Sequence, residues 1–152
     1  MMTALVVVLA YAAWWHFVLF RRRFETPYGH RPQMPVVEHF NAPVAQLAAK
    51  IKGTPVGHIA AITLPGLFRC RAHVFYSGAY APGELRRHEI AGHVPELERL
   101  GPLNYLPTYF WHALVLRYSW ATHEMEVEAI ARSADIPPEW YPTIGTRTGA
   151  AA

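Results

Sequence analysis

The first twenty residues, MMTALVVVLAYAAWWHFVLF, carry none of the chain's 14 basic and 11 acidic side chains. Eighteen of the twenty are apolar, with Thr3 and His16 the exceptions. No other feature narrows the folding options as much. As a helix the segment would rise about 30 Å, the thickness of a bilayer's hydrocarbon core. Trp14, Trp15 and His16, followed by Arg21, Arg22 and Arg23, mark a membrane–water interface at its C-terminal end. The reading is a single transmembrane anchor over residues 1–23. A cleaved signal peptide would place basic residues before the apolar stretch, and here they follow it. The three arginines then put the main domain on the cytoplasmic side, with a short N-terminus outside.

Beyond this segment the chain reads as an ordinary small domain. The overall charged fraction is 16%, and all of that charge lies after residue 20. A hydrophobic fraction of 52% excludes a disordered, solvating chain. The net charge of +3 owes three positive charges to Arg21–Arg23. No basic stripe remains to neutralise a run of phosphates, which excludes nucleic acid as a partner. A single cysteine, Cys70, excludes an internal disulfide and a multi-cysteine zinc knuckle.

Residues 24–43, rich in Pro, Gly, His and Asn, read as a juxtamembrane linker. Val44, Leu47, Ala48 and Ile51 recur at helical spacing and predict a short helix over 44–51. Residues 58–64 and 68–76 read as a strand pair, with a turn over 77–83. A helix is expected from Glu84 to Leu100, stopped by Gly101-Pro102. Two more are expected, from Leu106 or Pro107 to Arg117 and from His123 to Ser133. Phe110–Leu116 is strongly apolar, fitting the core or a patch resting on the membrane near the anchor. Residues 146–152 form a small, polar tail. The fold class is α+β: an anchor, then a domain over 44–145 with a strand pair followed by helices.

The chemistry concentrates between Leu85 and Glu128. A catalytic zinc site needs three protein ligands and one open position for water. Two histidines on one helix face can share a metal, and a glutamate beside the first can serve as general base. His88, Glu89 and His93 sit on one predicted helix, and Glu126 on a later one can supply the third ligand. Glu124 and Glu128 compete with Glu126, because they share a helix face while Glu126 points elsewhere. His123 is a weaker candidate ligand. Tyr105 and Tyr109 could donate to an oxyanion or serve in the core. His58, His73 and His112 have no assignable partner.

The run from Ala61 to Ala129 resembles the small gluzincin-like zinc metallopeptidase domains of bacteria and phages. Ile62-Thr63-Leu64-Pro65-Gly66 resembles their edge strand, and Leu85–Glu89 the entry to their metal helix. His93-Val94, Glu96 and Gly101 resemble the end of that helix. Asn104-Tyr105-Leu106 and Tyr109 resemble the linking helix, and Glu126-Val127-Glu128-Ala129 the third-ligand helix in E-x-x-A form. The resemblance covers a little under half the chain. It implies zinc held by His88, His93 and Glu126, with Glu89 as base and an extended peptide bound along residues 62–64.

The chain departs from that pattern by one residue. His88-Glu89-Ile90-Ala91-Gly92-His93 has one residue more than His-Glu-x-x-His. In a regular α-helix a spacing of five turns the second histidine roughly 140° from the first. A π-bulge absorbs one extra residue in a turn. Pro95 clashes with the carbonyl of Ala91 and lacks an N–H, and Gly92 adds backbone freedom. A bulge spanning Ala91 to Pro95 is therefore expected to restore convergence of His88 and His93.

These features lead to the expectation of a membrane-anchored zinc metallopeptidase-like hydrolase. The alternative is a non-catalytic membrane-anchored interaction or assembly protein that retains a degenerate peptidase scaffold. A small subunit of a larger membrane complex is a third reading.

Overall fold

Three short strands, β1 (Val36–His39), β2 (Ala61–Pro65) and β3 (Ala72–Tyr76), form a mixed sheet in the order β1-β3-β2. The computed structural model describes residues 2–14, 32–55, 57–66, 70–111 and 124–145. Period-two alternation decides which way the sheet faces. Ala61, Thr63 and Pro65 of β2 turn inward with Ala72, Val74 and Tyr76 of β3, and the residues between them stay half-buried. β2 runs antiparallel to β3, with Thr63 opposite Val74, and β1 runs parallel to it, with Glu38 opposite Val74.

β1 corrects the expectation of an irregular linker over 24–43. The Pro- and His-rich surroundings mask two β-branched residues, Val36 and Val37, that pair beside β3. Glu38 fixes the pairing. Its carboxylate accepts from Arg86 Nε (2.8 Å) and Nη2 (2.7 Å), and from the Tyr76 hydroxyl (2.8 Å). Residues 24–31 of the linker and the tail at 146–152 lie outside the described residues.

Helix α1 (Met2–Trp14) corrects the membrane reading. Its thirteen residues rise only about 20 Å, against about 30 Å for a hydrocarbon core. Among the described residues no helix is long and apolar enough to cross a membrane. A single-pass anchor is therefore not supported, and the placement of the main domain as cytoplasmic falls with it. Residues 15–23, which include the arginines, lie outside the described residues.

Helix α2 (Pro43–Lys52) forms where the spacing predicts it, but its apolar stripe does not face the core. Val44, Leu47 and Ile51 are exposed, and Ala45 is fully buried. The backbone explains the rotation. Asn41 N–H donates to Gly78 O and Ala42 N–H to Tyr76 O, so the chain enters α2 against the end of β3. Tyr80–Ala81 (β4) pairs with Ile144–Gly145 (β5) in a second, two-stranded sheet.

The expected helix over 84–100 forms in three parts. An α-helical turn, α3 (Gly83–Arg87), runs into a π-helical segment (His88–His93) and then into α4 (Val94–Leu100). Gly101, at φ 71°, stops it, its N–H donating to Leu97 O. Helix α5 (Pro102–Phe110) starts earlier than expected, because Pro102 suits a first helical turn. Its expected end at Arg117 lies outside the described residues, as do His112 and His123. Phe110 and Trp111 are exposed, so the core reading fails for these two. Helix α6 (Glu124–Ala134) follows the expected span, and a 3-10 turn (Pro138–Trp140) leads to β5.

Two apolar clusters meet along the three-part helix. Ile90 and Ala91 pack with Ala61, Val74, Tyr76, Ile136 and Tyr141. Val94 and Leu97 pack with Ala72, Tyr105, Tyr109 and Met125. Both faces of that helix are thus fixed, which holds the buried polar residues Glu89, His93 and Glu96 in place.

Candidate metal centre

The extra residue between the histidines is taken up by the π-helical segment. Bonds from i to i+5 widen the turn by one residue and bring position i+5 back over position i. The rings of His88 and His93 accordingly lie 4.8 Å apart, edge to face at 84°. The deformation was expected over Ala91–Pro95 and sits at His88–His93, upstream of the proline. Pro95 acts on the turn before it, through the missing N–H and the clash with Ala91. It occupies the first turn of α4, directly after the π segment.

The third side chain comes from α6. Gly92 sets its distance: a Cβ there would lie 2.8 Å from both the Cβ and the carbonyl oxygen of Ala129. Only a glycine admits α6 this close. Arg132 Nη1 donates to Gly92 O (3.1 Å), satisfying a carbonyl of the π segment, and Arg132 Nη2 pairs with Glu128 on its own helix. Glu126 stands three residues before Ala129, on the same helix face, and is fully buried.

The result is a convergent donor set. His88 Nε2 lies 3.1 Å and His93 Nε2 3.4 Å from Glu126 Oε2. Ligand atoms around a tetrahedral zinc, at bonds of about 2.0–2.1 Å, stand about 3.3 Å apart. One atom from each of the three residues lies within 4.8 Å of the others, so His88, His93 and Glu126 form a group that could hold a metal ion. The competition among the three glutamates resolves by position: Glu124 is exposed, and Glu128 is engaged with Arg132.

Glu89 is buried at 4% exposure and is not one of the converging donors. Thr63 Oγ1, from β2, donates to its Oε2 (2.7 Å). Glu89, His93, Glu126 and Thr63 line one cleft with Ile62, Leu64, Leu106 and Phe110. Tyr109 donates to Glu126 Oε1 (3.2 Å). Burial, then the charges of Glu126 and Glu89, push its phenol far up, so it stays a protonated donor. Tyr105 is almost wholly buried in the apolar cluster. His73 is in contact with His39, at 2.8 Å between ring nitrogens on the outer face of the sheet, and His58 is exposed.

The surroundings of His93 and Glu126 favour the charged form of each. Burial alone would lower His93, but the facing carboxylates of Glu126 and Glu96, with Glu89 beyond them, outweigh it and push the imidazole up to about 10. Burial would raise Glu126, but His88 and His93 hold it well below the usual carboxylate range. The raised His93 contributes stability that is complete below its ordinary 6.5 and is lost as pH rises through about 10. The depressed Glu126 contributes stability that is present above its ordinary 4.5 and is lost on acidification. Chelator-treated protein should therefore melt highest between about pH 4.5 and 6.5 and progressively lower from 6.5 to 10. A thermal midpoint that is flat or rises over the alkaline range would contradict this pairing.

Three residues at the centre have no site role assigned from the sequence: Thr63 and Glu96, which enter there only through the resemblance, and Arg132. Thr63 carried a usable signal, a polar residue at an inward strand position. Glu96 and Arg132 carried only ordinary helical spacings, to His93 and to Glu128, which do not by themselves mark a site. Comparison of the chain with protein families, with curated proteins and with solved structures finds no match.

Proposed function

We propose that this chain is a zinc metallopeptidase-like hydrolase. The observation that carries the reading is the convergence of His88, His93 and Glu126 across a π-helical turn, with Glu89 in the same cleft. Two imidazoles and one carboxylate are the ligand set of catalytic zinc in one large class of peptidases. The resemblance of residues 61–129 to gluzincin-like domains supports the same metal. Held by His88, His93 and Glu126, zinc would supply Lewis acidity to a water near neutral pH.

The side chains divide the remaining work. Glu89 takes the proton of the attacking water and returns it to the leaving amine. Thr63 holds one oxygen of Glu89, fixing the carboxylate's direction while the other oxygen handles the proton. Tyr109 anchors Glu126 from the side away from the histidines' shared oxygen. β2 is an edge strand of its sheet and lines the cleft, so an extended peptide can pair along it by strand addition.

Metal analysis tests the centre directly. Protein loaded with zinc and dialysed should retain one ion per chain, and His93→Ala should retain none. A wild-type protein that comes through dialysis without zinc, or a His93→Ala variant that binds like wild type, would overturn the reading.

A further inference from the structure

The donor set accounts for one nitrogen of His93 and leaves the other unexplained. His93 Nδ1 and Glu96 Oε2 are both buried, and neither has a hydrogen-bond partner among the described residues. They face each other at 3.7 Å, one turn apart on the helix. Glu96 is 1% exposed. A carboxylate so far from water is costly unless charges or donors meet it. Arg99 Nη2 at 3.8 Å and Arg132 Nη1 at 4.0 Å supply charge, but both distances exceed a hydrogen bond.

We infer that Glu96 is the positioning residue of the metal centre: it accepts a hydrogen bond from His93 Nδ1–H and thereby directs Nε2 to the metal. This rests on the metal-centre reading above and deepens it. A neutral imidazole carries one proton, so a ring that gives Nε2 to a metal must hold its proton on Nδ1. That proton needs an acceptor in a dry site, and Glu96 Oε2 faces it. In the metal-free protein Nε2 is drawn to Glu126 instead, 3.4 Å away, which leaves the Glu96 contact slack. Hydrogen bonds to such outer carboxylates fix the tautomer and raise ligand basicity, and losing one costs about 10–100-fold in metal affinity.

Arg132 ties the arrangement together. The same guanidinium that reaches Gly92 O and Glu128 flanks Glu96, so α6, the π segment and the outer carboxylate share one cation.

Zinc affinity of Glu96→Gln, measured by competition with a chromophoric chelator, tests the inference. Glutamine keeps the volume but not the charge, and its amide can turn an N–H toward Nδ1 and favour the other tautomer, so a packing role would survive the change and a tautomer-fixing role would not. The expected result is zinc binding weakened about 10–100-fold in a variant that still folds. Affinity within twofold of wild type would overturn the inference while leaving the metal centre standing. Absence of zinc binding by wild type would overturn both. Should the variant fail to fold, proton–nitrogen correlation spectra of the zinc-loaded wild type decide: His93 must be protonated on Nδ1, and protonation on Nε2 overturns the inference.

Discussion

Glu89→Gln is expected to cut hydrolysis of a quenched fluorescent peptide library by about 10²–10⁴-fold while leaving zinc bound. The separation of the two effects follows from where Glu89 sits. It is next to His88 in sequence, yet the atoms that converge belong to His88, His93 and Glu126. Glu89 is instead held from the opposite wall of the cleft by Thr63. Glutamine preserves that hydrogen bond, because its carbonyl oxygen accepts from the threonine hydroxyl as the carboxylate does. The fold and the metal ligands are therefore undisturbed, and only the capacity to take up a proton is lost. Zinc content should match wild type. Loss of zinc together with activity would assign Glu89 to the metal shell. Unchanged cleavage would remove it from the mechanism, and a wild-type protein that cleaves nothing in the library would favour the non-catalytic scaffold.

How much of this was legible in the sequence depends on the range of the interaction involved. The π segment was legible as a need: a five-residue spacing, a glycine and a proline within eight residues of His88 point to a deformed helix. Its position was not, because the bulge settles where Ile90 and Ala91 can still reach the apolar cluster over the sheet. Glu126 could be favoured over Glu124 and Glu128 only by resemblance, since helical periodicity groups the other two. Its position is set by α6 docking on Gly92, a contact between residues 37 apart that leaves no local pattern. The same holds for β1, whose pairing depends on a carboxylate meeting Arg86 on α3. The uncharged N-terminal run misled in the other direction: hydropathy over twenty residues predicts a span, and the described helix is thirteen residues long.

Gly92→Ala should damage both the fold and the metal centre, and the structure says why one methyl group is enough. The added carbon would sit 2.8 Å from the Cβ of Ala129, 2.8 Å from its carbonyl oxygen and 3.0 Å from its Cα. Two of those three atoms are backbone and cannot swing aside, so α6 must move away from the π segment. Overpacking of this kind costs about 1–3 kcal/mol. The movement is transmitted to Glu126, which lies on the same face as Ala129, and it opens the 3.1 Å and 3.4 Å contacts to His88 and His93. Zinc affinity should then fall by roughly tenfold or more, as for lost outer-shell support. Ala129→Gly in the same protein removes only the Cβ, so it should restore part of the stability and not all of it. Calorimetry and chelator competition on the single and double variants measure both terms. A Gly92→Ala protein with the stability and zinc affinity of wild type would mean that the approach of α6 at Gly92 does not set the third ligand. Full rescue by Ala129→Gly would mean that the side chain, and not the backbone of α6, sets the distance.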